Sequence, residues 1–107
     1  MWTVEYLKAA LDDLKKLDHS QRVEVLKKIN RTAENPLPQN EGGYGEPLGN
    51  TKTAQLTGYC KIKLQRLGLR VVYRLEMNEA KMRIIVVSAR SDEEVYKIAQ
   101  KRKQQKK

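Results

Sequence analysis

The chain has 107 residues, of which 33% are charged and 39% hydrophobic, so it can build one modest core but not two well-buried ones. Its single cysteine excludes an intrachain disulfide and a cysteine-based zinc cluster, and no apolar run approaches the roughly 18 residues that a membrane span needs. The first residues lack the basic-then-apolar order of a signal peptide. We therefore expect a cytoplasmic protein.

The excess positive charge lies entirely in the second half of the chain. Residues 1–55 carry eight basic and eight acidic residues, whereas residues 56–107 carry fourteen and five, which accounts for the net charge of +9. A small protein with such an asymmetry has a basic face. This favours a polyanionic partner, with nucleic acid as the first choice and an anionic membrane surface as the second.

The first third of the chain predicts a short strand and a helical hairpin. Residues 2–5 favour the strand. Two stripes of apolar residues at helical spacing follow, and Asp18 with Gln21 forms a capping-box pattern at which the second helix begins. Asn35 and Pro36 end that helix. The predicted stripes are Leu7, Ala10, Leu11, Leu14 and Leu17 in the first helix, and Val25, Leu26, Ile29 and Ala33 in the second.

The middle of the chain predicts a long loop followed by three strands. Residues 35–55 are rich in Pro, Gly and Asn, which is typical of a loop. Residues 59–65 and 70–77 alternate apolar and polar side chains, which predicts two strands with one buried face each. The wholly apolar run 84–87 predicts a central strand covered on both faces.

A C-terminal helix completes the predicted fold. Ser91 and Glu94 form a second capping-box pattern, and this helix follows it. We expect an α+β fold: a mostly antiparallel sheet of about four strands, packed on an N-terminal helical hairpin, with a C-terminal helix. We further expect one domain over residues 1–107, with a basic tail at about 101–107.

The most specific pattern in the sequence is a group of cations on the predicted sheet. Lys61 and Lys63 are two residues apart on one strand, so they share a face, and Arg70 can lie across from them after a turn. Arg90 stands where the last strand gives way to a helix, and Tyr96 lies in that helix's first two turns. Such a group suits a phosphodiester with a base stacked beside it.

A solvated face is the competing interpretation, because any one-sided sheet exposes Lys and Arg to water. Residues 56–75 hold five basic and no acidic residues, whereas a solvated face mixes both signs, so the two interpretations stand about even. The only histidine, His19, is attributed to a helix start. The acids at 92–94 are attributed to the helix dipole, and Cys60 to the core. With no acidic cluster beside the basic face, we expect no metal and no cofactor.

Three segments together resemble the RelE branch of the RelE/ParE toxin superfamily: Gly58–Leu64, Gly68–Arg74 and Arg90–Tyr96. The resemblance extends from the first strand to about Arg102. RelE proteins are toxins of type II toxin–antitoxin pairs that enter the ribosomal A site and cut messenger RNA there without a metal. The resemblance therefore implies a metal-independent endoribonuclease (an mRNA interferase) that inhibits translation. The implied partners are the 70S ribosome, mRNA and a cognate antitoxin, with no membrane.

The resemblance also implies a role for each residue of the group. Lys61 and Lys63 match the family's catalytic lysine pair, Arg70 its phosphate-binding arginine, Arg90 its second catalytic arginine, and Tyr96 its active-site tyrosine. The ribose 2′-OH would attack the adjacent phosphate, giving a 2′,3′-cyclic phosphate and a free 5′-OH. Which lysine is the base, if either, stays open, as does catalysis mainly by substrate distortion and electrostatics. The basic residues implied to contact ribosomal RNA are Arg66, Arg74, Lys81, Lys101 and Arg102.

Two other functions stay open. A ParE-like gyrase poison shares the fold and is no nuclease, although such proteins generally lack the combined lysine pair, second arginine and C-terminal tyrosine. A non-catalytic RNA- or ribosome-binding protein on the same scaffold is the third possibility. The antitoxin is expected to be an acidic, partly disordered segment that covers the site or displaces the C-terminal helix. The long loop and the lysine tail depart from the family, and both could alter the contacts with the antitoxin or the ribosome.

Overall fold

The computed structural model describes residues 2–49 and 55–103. Residues 50–54 of the predicted loop and 104–107 of the predicted tail lie outside the described residues. Among the described helices, none is long and apolar enough to cross a bilayer. The elements in chain order are β1 (Thr3–Tyr6), α1 (Lys8–Lys15), α2 (His19–Thr32), β2 (Glu46–Pro47), β3 (Tyr59–Leu64), β4 (Leu69–Glu76), β5 (Lys81–Ser88) and α3 (Asp92–Arg102).

The strands form one five-stranded sheet in the order β1-β5-β4-β3-β2. All pairs are antiparallel except β1 with β5, which is parallel. The mostly antiparallel α+β fold is therefore confirmed, but the expected count of about four strands was one too low. The additional strand, β2, lies inside the predicted loop. It has only two residues, Glu46 and Pro47, which is too short for any alternation to reveal it.

The core confirms the central position of β5. Its apolar run Ile84–Val87 is at most 3% exposed, and the strand lies between β1 and β4. Ile62 and Val71, on the apolar face of β3 and β4, join Leu14 and Ile29 of the helical hairpin in one hydrophobic cluster. Full burial of each such side chain contributes about 1.5–3 kcal/mol. The cluster fixes the sheet against α1 and α2.

Two residues predicted to be buried are exposed instead. Leu11 is 43% exposed because α1 spans only two turns and buries Ala10 and Leu14. Met77 is 62% exposed because β4 ends at Glu76 and a tight turn follows. The prediction for Cys60 is confirmed, since it is 2% exposed.

The two predicted capping boxes have different outcomes. At α2, the Asp18 carboxylate accepts a hydrogen bond from the Gln21 N–H (2.8 Å), and the Asp18 N–H donates to the Gln21 side-chain oxygen (3.3 Å), so this box is confirmed. At α3, the Ser91 hydroxyl accepts from the Glu94 N–H (3.4 Å). The Glu94 carboxylate, however, accepts from Arg90 at 2.9 Å. Only half of the second box is formed.

The edge of β5 beyond the end of β1 is closed by side chains. Asp13 of α1 accepts from the Val87 N–H (3.0 Å), and Arg102 of α3 donates to the Ile85 carbonyl (2.9 Å). Asp13 and Arg102 pair with each other at 2.7 Å, with side chains 12% and 18% exposed. Backbone groups left unpaired there would cost free energy. This ion pair therefore anchors the last turn of α3 to the sheet.

The described part of the loop is held on the core. The Tyr73 hydroxyl donates to the Pro36 carbonyl at 2.7 Å. Gly45 approaches so closely that a Cβ there would lie 2.0 Å from the Tyr73 hydroxyl oxygen. Between these contacts, the Tyr44 N–H donates to the Asn35 carbonyl (2.9 Å), while the Tyr44 side chain is 55% exposed. The loop thus presents an aromatic ring from an anchored backbone.

Candidate functional site

The candidate site lies on the face of β3 and β4 that is opposite their core face. Lys61 pairs across the strands with Val72, and Lys63 with Arg70, so these side chains share one face. Tyr96 of α3 reaches the same face through its hydroxyl. The structure therefore brings three cations and the tyrosine of the predicted group together.

Lys61 is enclosed by groups that stabilise its positive charge. It is only 7% exposed, and its Nζ donates to the Tyr96 hydroxyl oxygen at 2.9 Å. The same Nζ lies 5.5 Å from the centroid of the Tyr96 ring, 3.5 Å from Asp92 Oδ2 and 3.8 Å from Glu46 Oε2. A buried ammonium needs such partners to remain charged.

Asp92 connects the lysine to the arginine of the site. Its Oδ1 pairs with Arg70 Nε, and its Oδ2 faces Lys61. Arg70 also donates from Nη1 to the Arg90 carbonyl at 2.9 Å. The carboxylate side chain is 35% exposed, so it lies at the mouth of the cluster. Since it is an anion bound by two of the cations, it occupies the kind of position that a phosphate oxygen would take.

The charges of the cluster shift two pKa values in opposite directions. Burial tends to raise the pKa of Asp92, but the positive charges of Lys61 and Arg70, with Lys63 nearby, hold it below its usual range. Burial tends to lower the pKa of Lys61, but the hydrogen bond to Tyr96 and the charges of Asp92 and Glu46 raise it above its usual range. These contacts therefore stabilise Lys61 in its charged form.

The remaining two predicted residues are less constrained. Lys63 is exposed and has no hydrogen-bond or ion-pair partner among the described residues. The Arg90 side chain is 65% exposed and pairs with Glu94 one turn along α3, at 2.9 Å. The Arg90 carbonyl belongs to the site through Arg70, but the Arg90 guanidinium is turned to Glu94 of the following helix.

The residues predicted to contact ribosomal RNA are spread over the surface. Arg66 is exposed and lies 3.5 Å from Glu24. Lys81 lies between Glu5 (3.2 Å) and Glu79 (3.1 Å).

The other three residues predicted to contact ribosomal RNA are Arg74, Lys101 and Arg102, and of these only Lys101 is exposed. Arg74 pairs with Glu76 at 3.2 Å, and Arg102 closes the sheet edge with Asp13. The Arg102 guanidinium is thus engaged by Asp13 and the Ile85 carbonyl and is not free to contact RNA.

Sequence reasoning missed two acidic members of the site, Asp92 and Glu46. Asp92 was attributed to the helix dipole, although it precedes Tyr96 by four residues and so shares its helix face. That spacing was the signal that could have found it. Glu46 reaches the site because β2 pairs it with Lys61, and no pattern in the sequence indicates that pairing. Among the described residues, no group of three or more His, Cys, Asp or Glu is placed to hold a metal ion.

Comparisons with known proteins give the same superfamily from sequence and from structure. The model of a family described as the ParE toxin of the type II toxin–antitoxin system parDE matches residues 4–96. The fold matches the isolated RelE toxin of E. coli, with a TM-score of 0.69 and 25% identity over 95% of this chain and 98% of that chain. A mutant of the same toxin in the free state gives a TM-score of 0.75 and 26% identity, over 94% and 96%.

A third structure, the RelBE2 toxin–antitoxin complex of Mycobacterium tuberculosis, matches in fold, with a TM-score of 0.60 and 24% identity over 83% of this chain and 98% of that chain. Comparison of the sequence with curated proteins finds no match.

Proposed function

Because this chain belongs to the ParE toxin family of type II toxin–antitoxin systems, we propose that it acts as a RelE-type toxin, a ribosome-dependent endoribonuclease that cleaves mRNA in the ribosomal A site. The observation that carries the proposal is the cluster of Lys61, Lys63, Arg70 and Tyr96 on one sheet face. Residues 1–107 would act as one RelE-like domain in the cytoplasm.

The scissile phosphate would bind where Asp92 now lies. Arg70 is partly buried and held by the Arg90 carbonyl, so its guanidinium is oriented before substrate arrives. A phosphate accepts the same paired hydrogen bonds from arginine as a carboxylate does. Binding would therefore move the Asp92 carboxylate out of the cluster, and Arg90 would leave Glu94 to approach the phosphate from the exposed side.

In the reaction, the bond between the 2′-oxygen and phosphorus forms while the bond from phosphorus to the 5′-oxygen breaks. Protonated Lys61 would stabilise the charge on the phosphoryl oxygens and donate a proton to the leaving 5′-oxygen. The 2′-OH proton would pass to Lys63, the amine without a partner. A lysine at its ordinary pKa of about 10.4 costs about 4.6 kcal/mol to be neutral at pH 7.

Dependence on the ribosome follows from the weakness of this base. The site has no strong general base, so its rate would depend on holding the 2′-oxygen in line with phosphorus and the leaving oxygen. Alignment of this kind is worth about 7–11 kcal/mol in favourable cases. We propose that the ribosome supplies it, and that Arg66, Arg74, Lys81 and Lys101 contact ribosomal RNA.

A cognate antitoxin would neutralise the toxin by covering the basic cluster or by moving α3. The solved structures of RelBE2 from Mycobacterium tuberculosis and of E. coli RelBE are toxin–antitoxin complexes, which supports such a partner. An acidic segment would compete with RNA for Lys61 and Arg70. Moving α3 would carry Asp92 and Tyr96 away from β3 together, since both lie in its first two turns.

The alternative is a ParE-like gyrase poison without nuclease activity. The description of the matching family supports it, because it names the ParE toxin. The two functions differ in what the cluster must do. A poison needs this surface for binding only, whereas a nuclease also needs Arg90 and Tyr96 for the chemistry.

Primer extension on a translated messenger, with and without ribosomes, tests the proposal. We expect cuts within codons that require ribosomes and disappear in the Arg90→Ala/Tyr96→Ala variant. Absence of cuts from both proteins, together with inhibition of gyrase, would replace the nuclease by the ParE-like function.

A further inference from the structure

A second basic surface continues from the candidate site onto α2. Lys27, Lys28 and Arg31 have helical spacing that places them on one face of α2, and all three are exposed. We call these three residues the α2 stripe. They line an open groove of about 460 Å³. The stripe comes from the half of the chain that has no net charge, so composition alone did not reveal it.

The opposite wall of the groove comes from the end of β3 and the turn after it. Lys63 and Arg66 line that wall, so five cations face the groove. The acid that also lines it, Glu24, lies 3.5 Å from Arg66. Because Lys63 belongs both to the candidate site and to the groove, the two basic surfaces are continuous.

An exposed aromatic ring stands at the far end of the stripe. Arg31 also lines two further open cavities of about 510 and 380 Å³, and Tyr44 lines both. Tyr44 is 55% exposed, while its backbone is held by Asn35 and its loop by Tyr73. A ring on an anchored backbone loses little conformational entropy when a ligand stacks on it.

We propose that the α2 stripe and Tyr44 form a track for single-stranded RNA, with the stripe binding phosphates and Tyr44 stacking on a base. Cations that follow a groove, together with an exposed aromatic ring, are the general means of binding single strands. An amphipathic acidic helix would need a row of apolar contacts, but among the described lining residues only Leu64 and Leu67 of the opposite wall offer them, since Val25 and Ile29 of α2 are fully buried. The inference rests on the proposed function in one respect: the strand would be the message that continues from the cleavage site.

Fluorescence anisotropy with a labelled 2′-O-methyl RNA of about 12 nucleotides, which cannot be cleaved, tests the track on the isolated protein. For Lys27→Gln/Arg31→Gln we expect about tenfold weaker binding near 0.1 M salt and a salt slope lower by about 1.4, from two lost phosphate contacts on a single strand. The matched control is Lys8→Gln/Lys15→Gln, which removes two exposed lysines of α1. It loses the same formal charge and should change affinity by less than about twofold.

The stacking contact has its own test. Tyr44→Ala should weaken binding of the single strand by at least about fivefold, and Tyr44→Phe should restore it, because stacking needs the ring and not the hydroxyl. A duplex of the same sequence should bind the wild type and Tyr44→Ala equally, since its bases are already stacked.

The outcomes separate this inference from the proposed nuclease. Equal losses in the stripe variant and the α1 control would overturn the track, even if ribosome-dependent cutting is observed. A stripe variant that binds RNA normally but loses affinity for the antitoxin would overturn it too, because the surface would then serve the protein partner. Selective loss of RNA binding without any ribosome-dependent cutting would support the track and contradict the nuclease.

Discussion

Two ionic clusters hold the two ends of α3, and they differ in charge balance. At the last turn, Arg102 and Asp13 pair one to one and also satisfy two backbone groups of β5. At the first turn, the three cations of the candidate site meet only two carboxylates, those of Asp92 and Glu46. Each cluster contains an arginine paired with an aspartate. The balanced cluster has no excess charge to offer a ligand, whereas the excess positive charge of the unbalanced one favours a further anion.

The largest effect is expected from removing a cation of the unbalanced cluster. Arg70→Ala should lower the rate of ribosome-dependent cleavage by about 100- to 1000-fold, because it removes a preoriented donor to the phosphoryl oxygens. Arg70→Lys should recover only part of the rate, since lysine lacks the paired geometry. Single-turnover cleavage measures both. A rate within about threefold of wild type for Arg70→Ala would remove this residue from the chemistry.

Breaking the balanced cluster should affect stability instead of chemistry. Arg102→Met leaves Asp13 partly buried with only a backbone partner and should lower the free energy of unfolding by about 3 kcal/mol. Urea denaturation measures the loss, with Lys101→Met as the control on the adjacent exposed residue. If the variant remains folded but loses cleavage as completely as Arg70→Ala, the distinction between the two clusters is wrong.

A smaller effect is expected from removing the internal anion. Asp92→Asn should raise the affinity of the isolated protein for pyrophosphate by about fivefold. This factor corresponds to the free energy of one partly exposed ion pair, which pyrophosphate would no longer have to replace. Glu93→Gln is the matched control, because it removes a carboxylate from the same helix turn. Isothermal titration calorimetry measures both affinities. Unchanged or weaker binding in Asp92→Asn would show that Asp92 does not occupy the anion site.

The smallest effect concerns pH. The pKa of Asp92 is lowered on folding, so the stability that it contributes is present above about pH 4 and is lost as the pH falls through its folded value. The pKa of Lys61 is raised, so its contribution is lost only as the pH rises past about 10.4. The difference in unfolding free energy between wild type and Asp92→Asn should therefore be under about 1 kcal/mol at neutral pH and shrink below pH 4. A difference that grows in acid would contradict the pairing.

A structural feature of this protein can be predicted from the sequence when it follows a pattern that repeats along the chain. Alternation placed Lys61 and Lys63 on the face of their strand that is opposite its core face, and a continuous apolar run identified the central strand, because each reflects a period of the backbone. The contacts of Asp92 and Arg102 could not be predicted in this way. Both sets of contacts depend on where α3 lies over the sheet. The sequence shows only that Asp92 and Arg102 lie near the two ends of a helix, not that Asp92 pairs with Lys61 and Arg70 or that Arg102 anchors the helix.

The position of β5 has a consequence for how the toxin is made. This strand is the last of the sheet in the chain, yet β1 pairs with it, Thr3 opposite Lys81, and its apolar residues complete the core. The first strand and the hairpin therefore have no finished sheet to pack on until the segment 81–88 has been synthesised. Contacts this distant in sequence also slow folding. A nascent chain would thus remain without its finished core until most of the protein has been synthesised.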